Sequence, residues 1–218
     1  MYRYHDLVLD SHSVLLSLMY FLDIFGTCVF AVTGSFKAIE HRYDIVGIII
    51  VATVTGTAGG IMRDVLFGIL LPNALTNPIY ITVTIITGIS VFFLYGKLNS
   101  QRQLFIIFDA IGLGVFTLTG GYSAYIHFGA NPLVIMTAGV LTAVGGGILR
   151  DVLVNEHPIV FTKEIYAAAS FLGIVTFYLL ILAHVNFELN VTIATTMIIV
   201  FRLLSVKYNW NLPRVRSE

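Results

Sequence analysis

Apolar residues in this chain gather into runs too long for strands and, mostly, too long for a soluble core helix. They occupy about 14–36, 44–68, 78–96, 103–127, 132–154, 164–184 and 188–206. A helix crossing a bilayer needs about 20 predominantly apolar residues, so the pattern predicts seven transmembrane helices. Polar punctuation separates them: LPNALTNP at 71–78, YGKLNSQR at 95–102, GANP at 129–132, NEHP at 155–158 and HVNFELN at 184–190. These breaks leave no room for a soluble domain, and residues 1–218 read as a single all-α transmembrane domain.

Composition agrees with that solvent. The 218 residues are 57% hydrophobic and only 11% charged, against about 25% charged in ordinary soluble domains. Formal net charge is zero, so the balance of charge gives no reason to expect nucleic acid as a partner. The start, MYRYHDLVLDSHS, is polar and carries acids, unlike a cleavable signal, and the first run reads as a permanent helix. Cys28 is the only cysteine and lies in an apolar run, where it reads as a small core residue.

The placement of basic residues then sets an expected orientation. Lys37, Arg42, Lys97, Arg102, Arg150, Lys163, Arg202, Lys207, Arg214 and Arg216 fall on one side, and Arg3 and Arg63 on the other. The positive-inside rule puts the N-terminus outside and the C-terminus in the cytoplasm of a multi-pass inner (plasma) membrane protein.

The chain also repeats itself. DIFGTCVFAVTGSFKAIEH at 23–41 aligns with DAIGLGVFTLTGGYSAYIH at 109–127, with Asp, Gly, Val, Phe, Thr, Gly, Ala and His in register at a shift of 86. GGIMRDVL at 59–66 aligns with GGILRDVL at 146–153 at a shift of 87. Residues 14–96 and 103–184 therefore read as two three-helix repeats, with 188–206 as a seventh helix. An odd number of crossings per repeat inverts the second against the first, as in many transport proteins, whose sites form between the halves.

Polar groups inside the runs carry the functional signal. Asp23 and Asp109 sit at membrane depth, where a charge costs roughly 2.5–3.5 kcal/mol on insertion scales and needs a partner or a water-filled cavity. Each begins a comparable helical face: Asp23, Thr27, Phe30 and Gly34 against Asp109, Gly112, Phe116 and Gly120. Two readings fit, close packing glued by polar bonds and pore lining.

TVTGTAGG at 53–60 and LTAVGGG at 141–147 place glycines near mid-membrane. Each glycine costs roughly 1 kcal/mol relative to Ala in a helix, and such a stretch is easily kinked or unwound. Unwinding frees carbonyl oxygens that can replace the hydration shell of an alkali cation. The alternative is that the glycines let another helix pack closely. Beyond them come Arg63–Asp64 and Arg150–Asp151. Adjacent residues do not face each other on a helix, so Arg63 is expected to bond to something other than Asp64; the arginines read as locks between the halves through Asp23 or Asp109, or as a positive gate.

Other chemistries find little support. His5, His12, His41, His127, His157 and His184 lie at run ends or in tails without metal-site spacing. No nucleotide-binding loop is present, so neither an enzyme nor ATP-driven pumping is expected, and no cofactor is implied.

The repeat pattern, the start DIFGTCVFAVTG and the twin GGxxRDVL signatures resemble prokaryotic members of the trimeric intracellular cation (TRIC) channel family, whose bacterial domain is also labelled a glycine transporter domain. The resemblance spans roughly residues 15–205. It implies a homotrimer in a lipid membrane, one potassium-permeable pore per subunit, and kinked second and fifth helices lining it. The kink glycines would be Gly59 and Gly60, and Gly145, Gly146 and Gly147, with the neighbouring carbonyls of Gly56, Thr57, Ala58, Ala143 and Val144 added by adjacency. Potassium would be met by backbone carbonyls of these residues. Animal members bind phosphoinositide through a basic motif on the fourth helix, whereas here that helix begins LFIIFDAIGLG without lysine. The alternative function is a secondary transporter of glycine or another small zwitterion.

Overall fold

The computed structural model describes the backbone of residues 2–98, 100–162 and 165–210, and within these the side chains from residue 15 onward apart from 162. Lys163, Arg214 and Arg216, and the side chains of Arg3, His5 and His12, lie outside the described residues.

Among the described residues, seven longer helices follow in order: α1 Tyr2–Glu40, α2 Ile45–Leu66, α3 Pro78–Leu94, α4 Gln101–Phe128, α5 Pro132–Leu153, α6 Ala167–Leu182 and α7 Phe187–Lys207. Single helical turns, Asn73–Thr76 and Ile159–Thr162, follow α2 and α5. Six of the longer helices have the length and apolarity of membrane spans, and α6 is a shorter apolar helix of 16 residues. At 1.5 Å per residue it extends about 24 Å, short of the roughly 30 Å of a hydrocarbon core. Helix α1 is longer than the run at 14–36, because the polar segment before it continues the helix and its far end reaches Glu40.

Side-chain caps fix where the helices start. Asp44 accepts from Gly47 N at 2.7 Å ahead of α2. Asn77 and Asn131 accept from Ile79 N and Leu133 N, each at 3.1 Å, with Pro78 and Pro132 supplying the first helical residue. Asn186 does the same for α7, accepting from Glu188 N at 2.9 Å. A proline there forfeits no hydrogen bond, and the Asn carbonyl satisfies an amide that lipid would leave bare.

Packing builds two groups. In the first, α1, α2 and α3 contact one another; in the second, α4, α5 and α6 do so. Contacts of α1 with α4 and of α2 with α5 join the groups, and α7 packs on α4 and α6. The central helix is α4: 72% of its apolar window is buried, against 28–50% for the other spans. Large apolar residues such as Phe21, Phe93 and Leu133 face outward, as expected where the solvent is hydrocarbon.

The joints between groups repeat each other. Gly26 lies against Phe116 and Gly112 against Phe30, so α1 and α4 run antiparallel, with the two phenylalanines edge-to-face at 5.0 Å. At the second joint, a Cβ on Gly59 would land on the Thr142 carbonyl oxygen, and one on Gly146 on the Thr55 carbonyl oxygen. Only glycine lets these helices cross so closely. Both helices are unbroken through the glycines. The local unwinding considered from the sequence is therefore not seen, because close crossing stabilises the helical form of these segments.

Candidate functional site: two buried Arg-Asp-Tyr clusters

Each group carries a buried cluster at matched positions. In the second, the Arg150 side chain is 0% exposed and that of Asp109 2%. Arg150 Nη1 donates to Asp109 Oδ1 at 2.9 Å and to Thr33 Oγ1 at 3.0 Å. Its Nε donates to Asp151 Oδ1 at 2.8 Å, while Nη2 has no hydrogen-bond partner. The Tyr166 hydroxyl donates to Asp109 Oδ1 at 3.2 Å. Arg202 of α7, 6% exposed, lies over the Tyr166 ring at 4.8 Å, and Arg150 lies over the Phe105 ring at 4.9 Å. Cation–π contacts in such desolvated places are worth about 2 kcal/mol each.

The first group holds the same residue types more loosely. Arg63 Nε donates to Asp64 Oδ1 at 2.9 Å, and Nη2 lies 2.8 Å from the same oxygen. Arg63 Nη1 stands 3.8 Å from Asp23 Oδ1, beyond hydrogen-bond range. The Tyr80 hydroxyl donates to Asp23 Oδ2 at 2.7 Å. Asp23 Oδ1 is buried without a hydrogen-bond partner, and so is Thr119 Oγ1, the counterpart of Thr33.

Both arginines bond to the aspartate that follows them, contrary to the expectation from helix geometry. Neighbouring residues leave a helix about 100° apart, but the long arginine arm folds back far enough for Nε to meet a short carboxylate. The carboxylate is held in place from beyond the helix end: Asn73 N donates to Asp64 Oδ2 at 2.9 Å, and Ile159 N to Asp151 Oδ2 at 2.8 Å. The expected partners Asp23 and Asp109 are also found, one distant and one close.

Cavities adjoin both clusters. One of about 10 Å³ is lined by Asp23, Thr27, Gly56, Thr57, Gly60 and Arg63 among others, at the lower limit for a single water-sized particle. The other, about 490 Å³, is lined by Lys37, Arg102, Asp109, Glu156, Arg202 and Trp210 among others. On its lining, Lys37 Nζ donates to Glu156 at 2.8 and 2.9 Å, tying the end of α1 to the segment after α5. Phe30 and Phe116 sit seven residues, two helical turns, along from Asp23 and Asp109. The aromatic pair thus occupies the stretch between the clusters.

Of the residues singled out from the sequence, Asp23, Arg63, Asp64, Gly56, Thr57 and Gly60 gather at the small cavity, and Asp109, Arg150 and Asp151 form the second cluster. Gly59 and Gly146 serve the crossing of α2 and α5, and a Cβ on Gly145 would meet the Met62 sulfur at that same crossing. Gly147 lies beside Tyr166 and Arg150. Ala58, Ala143 and Val144 are buried in α2 and α5. Sequence reasoning missed Tyr80 and Tyr166, although the dipeptide IY at 79–80 and 165–166 keeps the shift of 86. Arg202 has no mate in the other half and left no such signal.

A family model described as Glycine transporter matches the chain twice, over residues 20–96 and 106–181. The inner membrane protein YadS of Escherichia coli (strain K12) is 31% identical over 201 residues, covering 90% of this chain and 95% of that protein. The membrane protein YvgT of Bacillus subtilis is 32% identical over 194 residues, covering 88% and 94%. Among solved structures, the TRIC trimeric intracellular cation channel orthologue from Rhodobacter sphaeroides superposes with a TM-score of 0.85 at 31% identity, covering 89% of this chain and all of that one. A prokaryotic TRIC channel solved in 0.5 M KCl gives 0.83 at 35% identity, covering 90% and 100%. With its apolar spans and these relatives, the chain is a multi-pass protein of the inner membrane.

Proposed function

We propose that this chain, which belongs to the family that the Glycine transporter model describes and that includes the bacterial TRIC channels, is a monovalent cation channel. The observation that carries the reading is the pair of buried Arg-Asp-Tyr clusters flanking Phe30 and Phe116. Two carboxylates at membrane depth, each reached by a cavity, suit a cation pathway whose constriction is aromatic. Potassium is the permeant ion, and each subunit of a homotrimer carries its own pathway between α1, α2, α4 and α5. The two three-helix groups are inverted repeats, the chain crosses the membrane seven times, and the Asp23 cluster faces outward with Asp109 and the C-terminus toward the cytoplasm.

In this conformation the aromatic pair closes the route. Opening separates Phe30 from Phe116 and bends α2 and α5 at their glycines, which turns carbonyls of Gly56 to Gly60 and Ala143 to Gly147 toward the ion. Arg63 and Arg150 stand as gates at opposite ends.

Planar-bilayer recording of the purified protein in potassium gradients, with glycine added to one side, tests this. Unitary potassium currents unaffected by glycine are expected, and Phe116→Ala should raise open probability. Saturable glycine uptake without unitary current would replace the channel by a carrier. Absence of both fluxes would remove transport altogether. Native mass spectrometry of the detergent complex should give a trimer; a monomer or dimer would break that part of the reading.

A further inference from the structure

The two clusters differ in charge. The second sets two carboxylates, Asp109 and Asp151, against two guanidiniums, Arg150 and, through the Tyr166 ring, Arg202. The first sets Asp23 and Asp64 against Arg63 alone. No other cationic side chain lines the small cavity among the described residues. Arg63 spends its Nε and Nη2 on Asp64 and leaves Asp23 Oδ1 buried with no hydrogen bond. One negative charge thus stays unbalanced in a desolvated place, which is costly unless something neutralises it.

The cavity beside it presents oxygen lone pairs. The Thr27 hydroxyl donates its proton to Asp23 O at 2.8 Å, and the Thr57 hydroxyl to Thr53 O at 2.7 Å. Both hydroxyl oxygens keep only acceptor capacity for a neighbour. Gly56 and Gly60 add no side chains to the lining. Acceptor oxygens, a net charge of minus one and room for a single particle select a small monovalent cation: an anion is repelled, and a divalent ion leaves an excess positive charge beside Arg63.

We propose that Asp23 Oδ1, with the hydroxyl oxygens of Thr27 and Thr57, forms a binding site for one dehydrated alkali cation in the first cluster, and that the second cluster has no such site because Arg202 already supplies the balancing charge. The site deepens the channel reading, in which it is the resting position of the permeant ion at the Asp23 end, yet its occupancy is measured independently of conduction.

The test is anomalous diffraction from crystals of the full chain grown with rubidium in place of potassium. A rubidium peak bonded to Asp23 Oδ1 is expected, with none at Asp109. Thr57→Val, which leaves every ion pair intact, should lower its occupancy, and Asp23→Asn should abolish it. In bilayers, Asp23→Asn should raise the half-saturating potassium concentration roughly tenfold, as expected when a charged ligand becomes neutral. Absence of the peak at Asp23, its persistence in Asp23→Asn, or an equal peak at Asp109 in the unmodified chain overturns the proposal. Rubidium at Asp23 without unitary current would keep the site and remove the channel; current without rubidium at Asp23 would do the reverse.

Discussion

The Arg150 and Arg63 clusters are each built from one arginine, two aspartates and one tyrosine at spacings that differ by one residue at most, yet one is tight and the other slack. Arg150 meets Asp109 at 2.9 Å, whereas Arg63 stands 3.8 Å from Asp23. Thr33 accepts from Arg150, while its counterpart Thr119 bonds to nothing. The Asp109 side chain is 2% exposed and that of Asp23 15%. Near-identical local sequence therefore does not fix the strength of a buried ion pair. Arg202 of α7 lies over the Tyr166 ring of the second cluster, whereas among the described residues no cation stands over the Tyr80 ring of the first. The slack end is where a mobile ion can replace a fixed charge.

The largest break in this comparison should come from the arginines. Arg150→Leu leaves Asp109 and Asp151 buried and unpaired, and should cost about 3–5 kcal/mol in denaturant unfolding of the detergent-solubilised protein. Arg63→Leu should cost about 3 kcal/mol, at the low end of that range, because it strips the buried Asp64 of its ion pair but removes only a distant contact from Asp23. Equal losses would show that the two clusters are energetically alike.

Next come the glycines. Gly59→Ala places a methyl group on the Thr142 carbonyl oxygen, and should cost about 1–3 kcal/mol in the same measurement by forcing α2 from α5. Gly60 has its nearest neighbour, the Arg63 guanidinium, 3.8 Å from an added Cβ. Gly60→Ala should therefore be neutral to stabilising by up to about 1 kcal/mol, while potassium conductance falls, because the methyl group enters the small cavity.

The smallest contrast concerns the threonines. Thr33→Val removes an acceptor from Arg150 and should cost about 1–2 kcal/mol, whereas Thr119→Val replaces a hydroxyl that bonds nothing and should be neutral or stabilising. Thermal unfolding monitored by fluorescence of the single Trp210 should separate them. A loss at Thr119 equal to that at Thr33 would mean that the first cluster also closes onto its partner helix.

Much of this was legible in one dimension. Run lengths located the helices because hydrocarbon forces every spanning segment to be long and apolar. The shift of 86 to 87 residues paired Asp23 with Asp109 and Arg63 with Arg150, and it holds for Tyr80 and Tyr166 as well. The glycines were marked by their cost, but their role was not, since a helix that bends and a helix that is crossed closely ask for the same residue. The bond from Arg63 to Asp64 was misjudged because spacing rules treat side chains as short, and a guanidinium on a three-carbon stem escapes them.

By itself, then, the sequence determined the solvent, the helices, the duplication and the identity of the buried charges, all of which depend on composition and local spacing. Only the tertiary structure decided which aspartate is fully paired and which keeps a free oxygen. The Tyr166 hydroxyl that also donates to Asp109 belongs to a ring lying under Arg202 of α7, which packs on α4 and α6. A difference of 0.9 Å between 3.8 and 2.9 Å in a guanidinium–carboxylate distance is set by packing between segments far apart in the chain.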